Sequence, residues 1–304
     1  MQRVLVTGGS GLVGQALQKV VRQSQNWIFL SSKDGDLRSL EDTRQIFKQY
    51  QPTHVIHLAA IVGGLFYNMT AGADFFEGNM RMALNVYRCA HEAGVQHLIS
   101  CLSTCIFPDK TTYPIDETMI HNGPPHSSNE GYSYAKRMLD ILNRSYHNQY
   151  GRQYTSVIPT NIYGPHDNFH LEHSHVIPGL IHKAAISETL NVFGTGKPLR
   201  QFIYSEDLAK LIVWTLEHYN SVEPIILSVP PEQEVSIAKV AELIASEFGL
   251  EVSYDVSKSD GQYKKTASNQ KLMSLLPDFE WTSIEEGIHK TVEWFKQNRD
   301  RIRK

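Results

Sequence analysis

Tyr132 and Lys136 stand four apart. On a helix that spacing puts them on one face. An ammonium near a phenol stabilises phenolate, lowers its pKa and makes a tyrosine usable as a general acid or base near neutral pH. Tyr134, two residues from the lysine, lies off that face. A second pattern is Gly8-Gly9-Ser10-Gly11-Leu12-Val13-Gly14, set between an apolar run and a helical one. Gly8 permits the tight turn, Gly11 lets the backbone approach a pyrophosphate, and Gly14 lets the helix pack on the strand. The helix N-terminus then faces the phosphates. Glycines alone are a weak signal, but between a strand and a helix they point strongly to a dinucleotide.

The end of the second strand, Ser31-Ser32-Lys33, indicates which dinucleotide. A site for NAD usually places a carboxylate here for the ribose 2′-hydroxyl. Two hydroxyls and an ammonium suit a 2′-phosphate, because they donate hydrogen bonds and supply positive charge. NADPH is therefore the expected cofactor, with Ser32 and Lys33 among its contacts. Asp36 and Leu37 are placed to face the adenine. Ala59 and Ala60, small residues closing the third strand, let a cofactor pass closely.

These groups need a scaffold, and the chain spells one out. Strands read at Arg3–Val6, Trp27–Leu30, His54–Leu58, His97–Leu102 and Tyr154–Ile158. Helices read between them at Leu12–Val21, Ser39–Tyr50, Phe75–Ala93 and Tyr132–Tyr150. Such alternation predicts a parallel sheet with helices on both faces, of the Rossmann-type doubly wound α/β class. After Pro159 the rhythm breaks, and residues 161–168 read as polar and turn-rich. Later strands read at Leu190–Phe193, Gln201–Tyr204 and Pro224–Val229. Helices follow at Glu206–His218, from a Ser236 cap to Phe248, and from a Ser283/Glu286 capping box to about Asn298. The expected layout is a cofactor domain over 1–165 and a smaller mixed α/β substrate lobe over 166–304, with some later elements returning to the first sheet.

Bulk properties remove several classes. The 304 residues are 41% hydrophobic with a formal net charge of −3, an ordinary globular composition without the strong basic field that nucleic acid or an anionic membrane would select. No apolar run approaches the roughly 18 residues of a membrane span. The 14 histidines show no zinc-ligand spacing, so no metal is expected. Three cysteines (Cys89, Cys101, Cys105) without a signal segment predict a reducing compartment and a soluble, cytoplasmic protein.

The glycine loop, Ser103 after the fourth strand, and Tyr132 with Lys136 resemble the extended short-chain dehydrogenases/reductases. Ser103 and Thr104 both offer a hydroxyl, and Ser103 fits that family's position. Further segments narrow the resemblance to its nucleotide-sugar epimerase-reductases. They are Val62-Gly63-Gly64, Leu102 to Pro108, Pro159 to Phe169, Ser174 to Pro178, Arg200-Gln201-Phe202 and Ser259-Asp260-Gly261. The resemblance covers nearly the whole chain. It implies epimerisation of GDP-4-keto-6-deoxy-D-mannose at C3 and C5, NADPH-dependent reduction of the C4 ketone, and a homodimer through the helices 75–93 and 132–150.

On that reading Cys105, two residues past Ser103, is the base and His175 the opposing acid. Ser103 and Tyr132 hold the ketone oxygen, and Tyr132 then protonates the C4 alkoxide. Pro159, Asn161, Ile162 and His175 are implied to line the cofactor, with Asn79 also placed to position substrate or backbone. Lys183 and Arg200 are implied for the diphosphate, Phe193 for the guanine and Asp260 for a sugar or ribose hydroxyl. Rival expectations are a nucleotide-sugar 4-epimerase or dehydratase that recycles a tightly held cofactor, and a non-catalytic NADPH-binding subunit.

Overall fold

Val4, Leu5 and Val6 are all fully buried, as a strand covered on both faces requires. In a computed structural model of the chain, residues 2–22, 24–171, 173–260 and 263–302 are described, with the backbone alone at 65–67. Gly261, part of one quoted motif, lies outside the described residues.

The first half runs β1 (Val4–Thr7), α1 (Leu12–Val20), β2 (Trp27–Phe29), α2 (Leu40–Tyr50), β3 (His54–His57), α3 (Leu65–Thr70), α4 (Gly72–Glu92), β4 (His97–Cys101), α5 (Glu130–Tyr150) and β5 (Gln153–Pro159). The second half runs β6 (Asn161–Tyr163), α6 (Val176–Ala184), β7 (Thr189–Phe193), β8 (Leu199–Arg200), β9 (Phe202–Tyr204), α7 (Ser205–His218) and β10 (Ile225–Leu227). It ends with β11 (Val235–Ser236), α8 (Ile237–Phe248), β12 (Glu251–Asp255), α9 (Gln270–Leu275) and α10 (Ile284–Gln297).

Six strands form one parallel sheet in the order β10-β5-β4-β3-β1-β2. The order reverses at β1, between β2 and β3, and ligands of such sheets bind outside the carboxyl ends of the strands at that switch point. Successive strand residues serve opposite faces. Val4, Val6, Ile56 and Ile99 pack with Leu17 of α1 and with Leu208, Leu211 and Ile212 of α7. Leu5, Val55 and Leu98 pack with Phe47 of α2, Val86 of α4 and Leu139 of α5. A third core, built from Phe169, Ile181, Val192, Ile244, Val292 and Phe295, belongs to the second half of the chain.

Two segments of that second half serve the first sheet. Helix α7 packs on α1, and β10 pairs with β5 in parallel, Ile226 opposite Ile158. The stretch read as turn-rich after Pro159 begins with a short strand, β6, which pairs in parallel with β9. Two residues that follow it, Gly164 and His166, adopt left-handed φ values of 155° and 67°, so the turn character lies at the end of the segment rather than throughout.

Candidate functional site

The glycine loop fits closely between β1 and α1. Gly8 has φ +70°, and a Cβ there would lie 2.8 Å from the Ala59 nitrogen; a Cβ on Gly14 would collide with the backbone of Gly9. The loop is tied to its neighbours, the Gly9 N–H donating to Leu30 O at 2.7 Å and the Gly11 N–H to Gly8 O at 3.0 Å. Helix α1 starts at Gly11 with no side-chain cap and no acidic residue in its first turn. Its first N–H groups are left for an anion, and the glycines let the loop pack against β2, β3 and itself where side chains would collide. Ser10 is exposed, and Leu12 and Val13 are partly so.

At the end of β2, Ser32 and Lys33 are exposed, and neither side chain has a partner among the described residues. The nearby Asp34 carboxylate accepts from the Ser31 N–H (2.7 Å) and hydroxyl (2.9 Å). Asp36 is paired with Arg38 at 2.8 Å, and this hydrogen-bonded guanidinium holds its carboxyl below the usual range. Arg38, not singled out from the sequence, holds both Asp36 oxygens through its guanidinium. The Leu37 side chain is buried in the core against α2 and α4, and its carbonyl accepts from Asn85 Nδ2 at 2.9 Å. Only its backbone N–H remains for an adenine.

Where β1 and β3 end, the Thr7 hydroxyl and His57 Nδ1 are 2.8 Å apart, and Thr7 Oγ1 accepts the Ala59 N–H at 3.1 Å. His57 is fully buried, and burial with the nearby Lys136 ammonium pushes its pKa down to about 3. Asn79 is structural: its amide donates to Phe75 O at 2.7 Å and Ile61 O at 3.1 Å, and its oxygen accepts from the Ile61 N–H at 2.9 Å. Pro159 ends β5, and the exposed Asn161 donates to Gln201 O at 2.8 Å, with Ile162 beside it.

Tyr132 and Lys136 lie in the first two turns of α5, on the face towards β4. The buried Lys136 ammonium donates to Cys101 O at 2.9 Å and sits 5.9 Å from the centre of the Tyr132 ring. Burial holds the Tyr132 phenol well above its ordinary pKa. Desolvation is the largest cause and the Cys105 and Cys101 thiols add to it, a direction that favours the protonated, proton-donating phenol. Tyr134 points elsewhere, its ring against the Arg137 guanidinium at 5.2 Å. Ser103 caps a single 3₁₀ turn, residues 104–106, by accepting the Cys105 N–H.

Cys105 is partly exposed, whereas Cys89 and Cys101 are buried. Its thiol lies within electrostatic reach of Tyr132, Lys136, Arg137 and Lys265. Ser103, Cys105, Tyr132 and Lys136 thus converge. His175, at the N-terminus of α6, stands apart from this group: no contact ties it to them among the described residues. Its imidazole is open to water, yet the protein around it desolvates the ring and lowers its pKa. That direction keeps it largely neutral at neutral pH.

The second half contributes cations. The Lys183 ammonium lies 3.9 Å from the centre of the exposed Phe193 ring, and partial burial lowers its pKa. Arg200 donates to Leu199 O at 2.7 Å, with Glu234 and Tyr113 within electrostatic reach. Both oxygens of Asp260 are engaged with Thr195, accepting its N–H at 2.6 Å and its hydroxyl at 2.8 Å. Asp260 therefore fastens the turn that follows Phe193. Lys265 belongs to a lysine doublet that reads as solvated surface, yet its side chain is partly buried and within electrostatic reach of Arg200 and Asp109. Among the described residues, no cluster of His, Cys, Asp or Glu is arranged to hold a metal, and no helix is long and apolar enough to cross a membrane.

Residues 4–229 match the NAD dependent epimerase/dehydratase family. The chain is 59% identical to a GDP-L-fucose synthase of Dictyostelium discoideum, over 99% of this chain and 97% of that protein. It is 55% identical to a probable GDP-L-fucose synthase of Drosophila melanogaster over the full length of both. The crystal structure of a GDP-L-fucose synthetase from Naegleria fowleri bound to NADP superposes with a TM-score of 0.95 at 50% identity, covering 100% of this chain and 95% of that one.

Proposed function

The chain belongs to the NAD dependent epimerase/dehydratase family and, within it, to the GDP-L-fucose synthases, and from that membership we propose how its residues convert GDP-4-keto-6-deoxy-D-mannose into GDP-L-fucose. It is an NADP(H)-dependent enzyme. The observation that carries the residue assignment is the meeting of Cys105 with Tyr132 and Lys136, which sets an acid–base thiol beside a reductase pair so that one sugar can be served by both.

The C4 ketone acidifies the hydrogens on C3 and C5. The Cys105 thiolate takes such a proton, and the electron pair moves into an enolate whose oxygen accepts hydrogen bonds from Ser103 and Tyr132. His175, on the opposite side, returns a proton to the carbon and inverts it. The lowered His175 pKa means that only its minor protonated form is the donor, so inversion falls as pH rises. NADPH, when bound, supplies the hydride that C4 receives. Tyr132, kept protonated by burial, gives its phenolic proton to the C4 oxygen. Lys136 anchors α5 to the end of β4 and keeps a positive charge beside the phenolate that remains.

The cofactor is assigned to the Gly8–Gly14 loop, Ala59, Ala60, Pro159, Asn161 and Ile162, with Ser32 and Lys33 at the 2′-phosphate. The diphosphate is assigned to Lys183 and Arg200, and the guanine to Phe193. Residues 1–165, joined by α7 and β10, form the cofactor unit, and the remainder forms the sugar lobe. We further place the enzyme in the cytoplasm as a homodimer through α4 and α5, whose outer faces expose Phe76, Leu84 and Ile141. Purified protein given the 4-keto sugar and NADPH should yield GDP-L-fucose with one NADPH oxidised per product. A sugar altered without net NADPH oxidation would return the chain to the cofactor-recycling epimerases.

A further inference from the structure

Lys136 and Arg137 are neighbours on α5, and each grips a backbone carbonyl of the segment that carries Ser103 and Cys105. The Lys136 ammonium donates to Cys101 O at 2.9 Å, where β4 ends. Arg137 Nε donates to Ile106 O at 2.9 Å, and its Nη2 reaches the same oxygen. Arg137 Nη1 donates to Gly123 O at 2.8 Å. Ile106 ends the single 3₁₀ turn that holds Cys105, and Gly123 lies on the chain returning towards α5. The outgoing and returning stretches meet there, the Asp109 N–H donating to Pro124 O at 3.0 Å. One guanidinium thus pins the neck of this excursion to the helix that bears Tyr132.

Arg137 is only 4% exposed, and no carboxylate pairs with it among the described residues; the Tyr134 ring lies against it at 5.2 Å. Burying a guanidinium costs free energy that an apolar side chain of similar size would not. An apolar side chain, however, would leave both carbonyls without this donor. The turn's own bonds are long: the Cys105 N–H reaches Ser103 Oγ at 3.4 Å, and the Phe107 N–H reaches Thr104 O at 3.4 Å. Ile106 and Phe107 are buried, but apolar packing is non-directional. The bonds from Arg137 are what fix the direction of the Ile106 carbonyl.

We propose that Arg137 is a positioning residue for epimerisation, which clamps the far end of the 104–106 turn to α5 and so aims Cys105 at the carbons beside the C4 ketone. The proposal rests on Cys105 being the base. Arg137 itself transfers no proton and touches no substrate. Lys136 fixes the near end of the same segment, so Ser103, two residues past Cys101, keeps its place when Arg137 is replaced. The two half-reactions should therefore separate. Exchange at C3 and C5 needs both anchors, and hydride transfer needs the Lys136 anchor alone.

The test uses the intact NADP⁺-bound enzyme with the 4-keto sugar in deuterated water, so that exchange at C3 and C5 is read without reduction. In Arg137→Met this exchange should fall at least about tenfold, since a misplacement of about 1 Å costs up to about a hundredfold. The loss should lie in kcat, with KM for the GDP-sugar moved less than about twofold. Hydride transfer from NADPH to an already epimerised 4-keto sugar should change less than about threefold. Arg137→Lys keeps the charge but has no fork to span two carbonyls, and should regain only part of the exchange. Amide hydrogen exchange read by mass should rise in the peptide covering residues 102–108 of Arg137→Met and stay unchanged in the glycine loop. Normal C3 and C5 exchange in a folded Arg137→Met protein overturns the proposal. So does an equal loss of exchange and hydride transfer, the mark of a loosened α5, and so does full recovery in Arg137→Lys, which would make charge rather than the clamp the cause. If Arg137→Met does not fold, Arg137→Lys decides alone: lowered exchange with intact hydride transfer supports the clamp, and wild-type values of both overturn it. A wild type that exchanges nothing at C3 and C5 sinks the epimerase reading of Cys105 instead, and a loosened 102–108 peptide would then still show the clamp.

Discussion

The glycine-loop region and the proposed sugar-binding region are built by opposite means. At the cofactor end, backbone makes the site: close approach at Gly8 and Gly14, uncapped N–H groups on α1, and strand ends locked by Thr7 and His57. At the proposed sugar end, side chains would make it: Cys105, Lys183 and Arg200 come from three separate segments, and Lys183 has no ion-pair partner among the described residues. A dinucleotide presents the same pyrophosphate to every enzyme that binds it, so one local motif serves. A particular sugar nucleotide needs charges placed at several distant points, and only tertiary structure assembles them.

The largest test of that contrast falls where the two ends meet. Tyr132→Phe should lower the reduction rate about a thousandfold by removing the proton donor for the C4 oxygen, with NADPH affinity changed less than about twofold. Stopped-flow absorbance of NADPH and a binding titration separate the two effects. If the tyrosine variant reduces normally and Tyr134→Phe does not, the wrong ring has been assigned.

Next, Cys105→Ser should cut deuterium incorporation at C3 and C5 by about a hundredfold, because a hydroxyl is far less acidic than a thiol and supplies almost none of the ionised base near neutral pH. Cofactor binding should be untouched if the thiol serves the sugar, as proposed. Normal labelling by a folded Cys105→Ser protein would return Cys105 to packing.

A smaller effect should distinguish the ends by acid. His57 ionises near 6.5 when unfolded but at about 3 in the native protein, where it is buried neutral. Below pH 6.5 the unfolded chain therefore binds a proton that the native state refuses. Stability present above that pH is lost on acidification towards 3, with a slope of about 1.4 kcal/mol per unit. His54, half-buried at the opposite end of β3 and held at about 4, acts in the same direction. Urea unfolding at pH 7 and 5.5 measures the slope, and His57→Gln should flatten it. An equally steep slope in the variant would clear His57 of responsibility.

The smallest effect is expected at the 2′-phosphate. Lys33→Glu should reduce the preference for NADPH over NADH by about tenfold, the worth of roughly one charge-assisted contact. Equal use of both cofactors by the wild-type enzyme would remove the argument from Ser31-Ser32-Lys33.

What could be read in advance follows the same division. Helix starts at Ser39, Ser236 and Ser283 were legible because the cap is chemistry written beside the helix. Each serine accepts an N–H three residues on, from Asp42, Lys239 and Glu286. The glycine loop and the Tyr132–Lys136 face were legible for the same reason. Helix α6 was not, since Pro178 and Gly179 within it argue against helix locally; Pro178 is tolerated because it lies in the first turn. Strand β12 was hidden too. Its sequence Glu-Val-Ser-Tyr-Asp is mostly polar, and its pairing with β7 supplies what its composition lacks. The burial of the Leu37 side chain was not legible either, because nothing local says which way a loop leucine turns.

The return of β10 to the first sheet bears on how the protein is made. During synthesis from the N-terminus, β5 can join β4 as soon as it emerges, but its far edge stays bare until residues 225–227 leave the ribosome. In the interval the nascent chain displays an open row of backbone donors and acceptors on an apolar strand, a template for pairing with another chain. The finished protein closes that exposure twice over. β10 covers β5, and the Glu117 carboxylate, already synthesised and waiting, accepts the Ile226 N–H on the newly arrived strand at 2.8 Å. Ribosomes stalled or terminated between residues 165 and 225 should therefore release aggregation-prone chains even though every residue of the glycine loop and of the Tyr132–Lys136 pair is present.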